Sequence, residues 1–393
     1  TYIGIFIIMF SVISSGMVAV MTQNIGAGRP GVAYQARQLG LTFNAVLGII
    51  VSLILTFGAG AILAGVGVAD ALMQPARTYL QIVGGFCILN ALIPICSSYL
   101  RAFGFSKEPL YASIIGNVIN FCLNAFFLFV LHKGVAGVAT ATVISRIINL
   151  VIVVLLGAVL VKAKQHPERE SNRAVMGQII RIGLPSACET AIYNVSMTLV
   201  IRFLNQMDAQ GLNVTARSYT MQITNFSYCV GAALAQANAI MTGWHIGAKE
   251  YDACDRGTKK AAVIGVIVAV ILETVFTLCS GWIMQLFSKD PQMVSLVGKL
   301  LAIDIVLEIG RVTNLVYGQA LKTSGDAVFP VVMGACFMIL CSVGGTYLFG
   351  IRLGLLAVGA YIGMTGDECV RAVGMYLRWK SGKWKEKGLV KSR

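Results

Sequence analysis

Long apolar blocks recur along the whole chain, and each is about as long as a lipid bilayer is thick. Residues 151–161, 261–271 and 329–340 form the centres of three such blocks. A helix needs roughly 20 apolar residues to cross the ~30 Å hydrocarbon core of a membrane. Eleven segments of this kind can be placed on the sequence. The predicted spans are 1–24, 39–65, 79–100, 110–131, 136–161, 179–205, 213–243, 261–284, 294–320, 328–349 and 354–377.

The composition excludes an ordinary water-soluble domain. The chain has 57% hydrophobic and 12% charged residues, whereas a globular protein has roughly 25% charged residues. Too few polar side chains are therefore present to cover a soluble surface of this size. We predict an all-α, polytopic membrane protein with about eleven transmembrane helices.

Basic residues are distributed unevenly between alternate loops. One side carries Arg29, Arg37, Arg101, Lys107, Lys162, Lys164, Arg169, Arg173, Lys249, Arg256, Lys259, Lys260, Lys322 and the tail 378–393. The other side carries only Arg77, Lys133, Lys289 and Arg352. Positive loops stay on the cytoplasmic side, so we predict a multi-pass protein of a bacterial or archaeal plasma membrane with a cytoplasmic C-terminus.

The net charge of +14 has two other interpretations. Nucleic-acid binding requires a continuous basic face, which scattered short loops do not form, so no nucleic-acid partner is expected. The basic tail is instead suited to contact membrane lipids.

Sequence motifs for catalysis or cofactors are missing. The ten cysteines form no C-x-x-C pair, and no Walker motif occurs. We therefore expect no enzyme activity, no cofactor and no disulfide. Energy for any transport would come from an ion gradient or a partner protein.

Two segments recur in the second half of the chain at one fixed distance. Residues 25–27 match 246–248, and 101–109 match 322–330, both 221 residues downstream. A shared offset indicates a duplicated unit. With six helices per repeat, both copies would enter the membrane from the same side. The predicted domains are an N-terminal lobe 1–165, a cytoplasmic linker 166–176, a C-terminal lobe 177–380 and a basic tail 381–393.

Polar side chains inside the predicted spans are the candidates for a functional site, because hydrocarbon disfavours them. The ten candidates are Glu189, Asp304, Glu308, Arg311, Asp367, Glu368, Arg371, Asn120, Asn124 and Thr142. The spacing of Asp304, Glu308 and Arg311 places them on one helix face. Glu189 has no basic residue one turn away. Structural alternatives are a neutralised ion pair for the charged groups and packing hydrogen bonds for the asparagines.

Several motifs resemble those of the MATE (multidrug and toxic compound extrusion) transporters. They are 23–29 (QNIGAGR), 99–104 followed by 109–120, 134–140 and 182–185, and in order and spacing they cover nearly the whole chain. The resemblance implies twelve helices in two lobes around a central cavity. It also implies export of cationic or amphipathic compounds in exchange for Na⁺ or H⁺. On this pattern the chain runs from the second helix to the twelfth, and the first helix is absent.

The resemblance also assigns expected roles to single residues. Asn120 matches an asparagine of the family's first-lobe cation site, and Thr142 matches a threonine that lines it. Asn124 stands where many members have an aspartate. Glu308 and Arg311 fall in the tenth helix, where some branches use a carboxylate for Na⁺.

These features favour efflux by cation antiport, with H⁺ or Na⁺ as the coupling ion and Na⁺ bound near Glu308 or Glu189. The expected substrate is a cationic or amphipathic small molecule, and the expected state is a monomer. Two alternatives stay open: a flippase for lipid-linked glycans or lipids of the same superfamily, and a membrane scaffold that does not transport.

Overall fold

The computed structural model describes residues 2–65, 70–162, 168–208 and 210–390. Within these ranges every regular element is helical and no strand occurs. The predicted all-α fold class is confirmed. Because helices satisfy every backbone hydrogen bond within one segment, they suit a chain with so little polar surface.

The first half of the chain begins with α1 and ends in the first part of α8. Its helices are α1 (Tyr2–Gly26), α2 (Pro30–Phe57), α3 (Ala59–Ala64), α4 (Asp70–Gly85), α5 (Ile88–Ala102), α6 (Lys107–Ala125), a π-helical turn (Phe126–Val130), α7 (Gly134–Leu160) and α8 (Asn172–Met207). The predicted single span 79–100 lies across α4 and α5, which are bent by 41° between Gly85 and Ile88.

The second half continues from α8. Its helices are α9 (Leu212–Gly247), α10 (Tyr251–Leu278), α11 (Ser280–Met284), α12 (Pro291–Thr323), α13 (Val328–Phe337), two π-helical segments (Met338–Val343 and Thr346–Arg352), α14 (Leu356–Lys380) and a 3₁₀ turn (Lys383–Glu386). The start of α12 is encoded locally. The Asp290 carboxylate accepts a 2.9 Å hydrogen bond from the Gln292 amide, and Pro291 occupies the first turn, where its missing N–H costs nothing.

Length and apolar composition qualify six of the described helices as membrane spans, and the bent pair α4–α5 makes a seventh. Four further helices are as long as these but contain the charged clusters: α8, α9, α12 and α14. The described helices therefore match the eleven predicted spans. Several extend beyond the apolar segment, because helix propensity does not stop where the hydrocarbon ends. On α7, the side chains of Val151, Leu155 and Val159 are exposed, as expected for a lipid-facing surface.

The internal repeat is visible in the helix ends. Gly28 and Lys249 both adopt positive φ angles (71° and 62°) and lie 221 residues apart. Gly104 and Gly325 do the same (89° and 98°), again 221 residues apart. Helices α6 and α13 then begin at positions with the same offset. Because the same turn recurs at the same place in both halves, the offset reflects a duplicated structure.

Two compact units divide the chain, Thr1–Leu184 and Pro185–Arg393. In the first unit, α1 packs against α2 and α5, and α6 packs against α7. In the second unit, α12 is central and contacts α9, α10 and α14. The predicted linker 166–176 partly falls outside the described residues, as does the end of the predicted tail, so those domain limits stay predictions.

The C-terminal segment is fastened to the second unit by Asp326. This carboxylate lies between α12 and α13, is 1% exposed, and accepts hydrogen bonds of 2.7 Å from both Arg378 and Lys387. Trp379 and Trp384 stack with ring centroids 4.1 Å apart. Gly325 is required here, since its φ is +98° and a Cβ would lie 2.2 Å from the Lys387 carbonyl oxygen.

Replacing Asp326 by Asn should destabilise the protein by about 2 kcal/mol, because two hydrogen bonds from cationic groups lose their charge. Burial alone would raise the pKa of Asp326, but the bonds from Arg378 and Lys387 outweigh it and hold that pKa below its usual value. A lowered folded pKa stabilises the protein at neutral pH, and this contribution is lost as the pH falls through it.

Thermal unfolding in detergent across a pH series checks this prediction. The gap between wild type and Asp326→Asn should be largest near neutral pH and should close in acid. The exposed Asp252, changed to Asn in the same way, is the control and should behave like wild type. A gap that did not change with pH would contradict the assigned charge.

Candidate functional site

The polar candidates of the first unit form a short chain of hydrogen bonds between α6 and α7. The Asn124 amide donates to Asn120 Oδ1 (3.1 Å), and the Asn120 amide donates to Ser145 Oγ (3.3 Å). Thr142 instead donates to the Val138 carbonyl oxygen of its own helix (2.9 Å). The structure thus brings Asn120 and Asn124 together with Ser145, which the sequence analysis did not name, and leaves the Thr142 hydroxyl with its own backbone.

The second unit gathers most of the charged candidates around α12. Arg311 forms an ion pair with Glu308 one turn earlier on the same helix. Its Nε lies 3.7 Å from Glu368 Oε1 on α14. The Asn314 amide donates to Glu368 Oε2 at 3.0 Å. These contacts connect α12 and α14 through groups that the sequence placed on two separate helix faces.

Asp367 and Arg371 form a saturated ion pair on α14. The Arg371 guanidinium donates to both Asp367 oxygens (2.8 and 3.1 Å) and lies 3.0 Å from Glu368 Oε2. The Ser342 hydroxyl, from a π-helical segment, donates to Asp367 at 2.9 Å. With every strong acceptor engaged, this pair fixes α14 against the π-helical segment and has little capacity left for a ligand.

Glu189 lies beside a basic residue that is distant in sequence. Lys322 Nζ is 2.6 Å from Glu189 Oε2, and both side chains are about 15% exposed, with values of 14% and 15%. The expectation that Glu189 has no basic partner is therefore wrong. Lys322 comes from the end of α12, and only tertiary packing could bring it there.

Three carboxylates form the most unusual feature of the second unit, and we call them the carboxylate cluster: Glu273 on α10, with Asp304 and Glu308 on α12. Their side chains are 0%, 2% and 0% exposed, and one oxygen of each lies within 4.8 Å of the others. Both Glu273 oxygens, one Asp304 oxygen and one Glu308 oxygen have no hydrogen-bond partner among the described residues. Such groups are costly to bury unless something binds them.

Glu273 is the member that the sequence analysis left without a role. Its signal was a lone carboxylate in an apolar span, which is itself unusual in a membrane helix. The spacing within α10 could not show its partners, because both lie on α12. The cluster has one neighbouring cation, Arg311, which contacts Glu308. With all carboxylates ionised, the local charge of the cluster and Arg311 is negative.

Two cavities within the second unit adjoin these groups. The first, which we call the Glu189 cavity, has a volume of about 230 Å³ and is lined by Glu189, Lys322, Glu368 and Arg371, among others. The second, which we call the Arg217 cavity, has a volume of about 260 Å³. Both cavities are lined by Tyr193, Tyr228 and Arg311. Asp304 lines the Arg217 cavity, so the carboxylate cluster adjoins a space that a small molecule could enter.

Known proteins match both the sequence and the fold. The chain is 32% identical to the "Uncharacterized transporter YisQ" of Bacillus subtilis over 99% of this chain and 86% of that protein. It is 21% identical to the "Probable multidrug resistance protein NorM" of Thermotoga maritima, over 80% of this chain and 68% of that protein. A crystal structure of MATE in the bent conformation superposes with a TM-score of 0.88 at 18% identity, over 97% of this chain and 86% of that one.

The family match rests on most of the chain. The family model MatE covers residues 1–126 and 185–348, which include segments of both repeats and the whole carboxylate cluster. The relative with 32% identity spans nearly the full chain and is itself described as a transporter. Together with the helical fold, these matches confirm the predicted resemblance: the chain belongs to the MatE family of membrane transporters.

Proposed function

We propose that this transporter exports small organic molecules in exchange for H⁺ or Na⁺. The observation that carries the proposal is the carboxylate cluster, in which Glu273, Asp304 and Glu308 lie together, fully buried and with unpartnered oxygens. Relatives that carry the name multidrug resistance protein support an efflux role. The substrate expected for such a site has a cationic or amphipathic character.

Electrostatics explains why the cluster should bind a cation. Two like charges 4.8 Å apart repel by about 3 kcal/mol at an effective dielectric constant of about 20. Three carboxylates with only Arg311 nearby therefore gain by taking up a proton or a sodium ion. Oxygen ligands from carboxylates suit both ions. The sign of the interaction is the same for H⁺ and Na⁺, and the choice between them is left to the experiment below.

Exchange follows from the position of Asp304. It belongs to the cluster and also lines the Arg217 cavity. A cation bound at the cluster neutralises Asp304 and weakens its attraction for a cationic group in that cavity. Ion and substrate therefore compete, and this competition is the thermodynamic requirement for antiport. We propose that alternating access of the two lobes, 1–165 and 177–380, then carries each to the opposite side.

The proposed setting is the plasma membrane of a bacterial or archaeal cell, with a cytoplasmic C-terminus and a monomeric transporter. The lipid-flippase alternative would favour a strongly cationic cavity, whereas the Arg217 cavity combines two arginines with Asp304. A scaffold would not need three unpartnered carboxylates beside a cavity. Both alternatives therefore fit the second unit less well than antiport.

Transport in liposomes tests the proposal directly. Purified protein should give counterflow of a labelled organic cation, because counterflow needs only a cycling carrier. An inward gradient of H⁺ or of Na⁺, imposed in separate arms, should then drive uphill movement of the cation in one arm. The arm that responds identifies the coupling ion. Counterflow with no response to either gradient would exclude antiport, and no counterflow at all would favour the scaffold.

A further inference from the structure

Arg217 is a buried guanidinium without a carboxylate partner. The residue lies on α9, is 6% exposed, and among the described residues no acidic oxygen is found within 4.0 Å of its nitrogens. One Nη donates a long, weak hydrogen bond to Met197 Sδ at 3.6 Å, and Nε has no partner among the described residues. Neither the sequence analysis nor the family resemblance assigned it a role.

The other buried arginines of the second unit behave differently. Arg371 contacts both Asp367 and Glu368, and Arg311 contacts both Glu308 and Glu368. Burying an arginine costs free energy unless an anion accompanies it. The guanidinium of Arg217 has no such anion in its surroundings, so the missing partner is sought in the cavity that it lines.

The Arg217 cavity is shaped for an amphipathic molecule. Methionines form an adaptable apolar wall, tyrosines add aromatic surface with polar tips, and Thr224 and Asn225 offer hydrogen bonds. The apolar and aromatic lining residues are Met197, Met221, Met364, Tyr193, Tyr228 and Tyr361. Asp304 lines the same space, and one of its oxygens is unpartnered. One cavity thus presents an unpaired positive group and a carboxylate that do not neutralise each other.

We propose that Arg217 binds a carboxylate of the transported molecule, so that the substrate is an amphipathic zwitterion whose cationic group faces Asp304. A single guanidinium with two parallel N–H donors matches the charge and the planar fork of one carboxylate. A phosphate monoester carries nearly two negative charges and would need a second free cation. Arg311 cannot serve as one, since it is already paired with Glu308.

This substrate class rests on the proposed export function and narrows it. Arg217 contributes the same attraction whether or not the carboxylate cluster holds a cation. Ion binding at Asp304 therefore loosens only the cationic end of the zwitterion. Exchange is preserved, and molecules that lack the carboxylate are bound less well.

Binding of matched acids and esters tests the assignment. The probes are aromatic amino acids, which are zwitterions, and their methyl esters, which are cations with the same aromatic body. Affinity is measured with the full-length purified protein in detergent and without any gradient, so the result does not depend on ion coupling. Wild type should bind the acids, and Arg217→Met should weaken them by about tenfold or more while changing ester binding less than about threefold.

Controls separate a lost anion site from a damaged fold. Arg202 is an exposed arginine on α8, outside the lining of this cavity, and Arg202→Met should leave both affinities unchanged. If Arg217→Met does not fold, the comparison is made between Arg217→Lys, which keeps the charge, and Arg217→Gln, which does not. The lysine variant should bind the acids more tightly than the glutamine variant.

Three results would overturn the proposal. One is a wild-type protein that binds none of the acids, and another is an Arg217→Met variant that weakens acids and esters equally. The third is a folded variant without the charge that binds the acids as wild type does. If the acids bind through Arg217 but transport ignores both ion gradients, the anion site stands and the antiport proposal fails.

Discussion

Glu308→Gln is expected to abolish gradient-driven efflux while the folded protein and its counterflow activity remain. Glutamine keeps the size of the side chain and can still accept a hydrogen bond from Arg311, but it cannot hold a proton or pair its charge with Na⁺. Each carboxylate of the cluster interacts with a bound cation by about 3 kcal/mol, so cation affinity should fall roughly 100-fold. Arg311 keeps its contact with Glu368, 3.7 Å away.

Efflux of a labelled cation from liposomes, with and without each ion gradient, measures this effect. The matched control is Glu386→Gln, which changes an exposed glutamate of the C-terminal 3₁₀ turn and should transport like wild type. Counterflow and thermal unfolding report whether the Glu308→Gln carrier still folds and cycles. Normal gradient-driven efflux from Glu308→Gln would rule out the coupling role of this carboxylate.

Gly310→Ala should cost about 1–3 kcal/mol of stability and most of the transport activity. Helices α12 and α14 cross at this glycine. A Cβ there would lie 2.8 Å from the Cys369 nitrogen and 2.9 Å from the Glu368 carbonyl carbon. Both are backbone atoms, which cannot rotate away, so the helices must separate. Separation would draw Glu368 away from Arg311 and Asn314 and disturb the polar network beside both cavities.

Thermal unfolding and counterflow of the purified variant measure the two effects. Gly318→Ala is the matched control, because Gly318 lies on the same helix and its Cβ would meet its nearest neighbour, Asn314 Oδ1, at an ordinary 3.8 Å. Since alanine favours helices over glycine, the control should be as stable as wild type or slightly more so. Equal stability of the two variants would show that the close approach of α12 and α14 is not needed.

The sequence was most informative where one segment determines its own environment. A helix in hydrocarbon must be long and apolar, so the spans and the all-α class follow from local composition alone. The repeat was also readable, because the same turn needs the same backbone freedom at Gly104 and Gly325. Spacing along α12 placed Glu308 and Arg311 on one face, and the structure pairs them.

Sequence patterns could not show which helices meet. Glu189 and Lys322 are far apart in the chain and 2.6 Å apart in space. Glu273 seemed isolated because its partners lie on α12, and Arg217 drew no attention because the sequence cannot reveal that an arginine lacks a carboxylate neighbour. Local rules therefore determined the class, the spans and the duplication of this transporter. Only the packing of α9, α10, α12 and α14 decided which buried charges neutralise each other and which stay open to a ligand, because electrostatic energy depends on distance in space and not on separation along the chain.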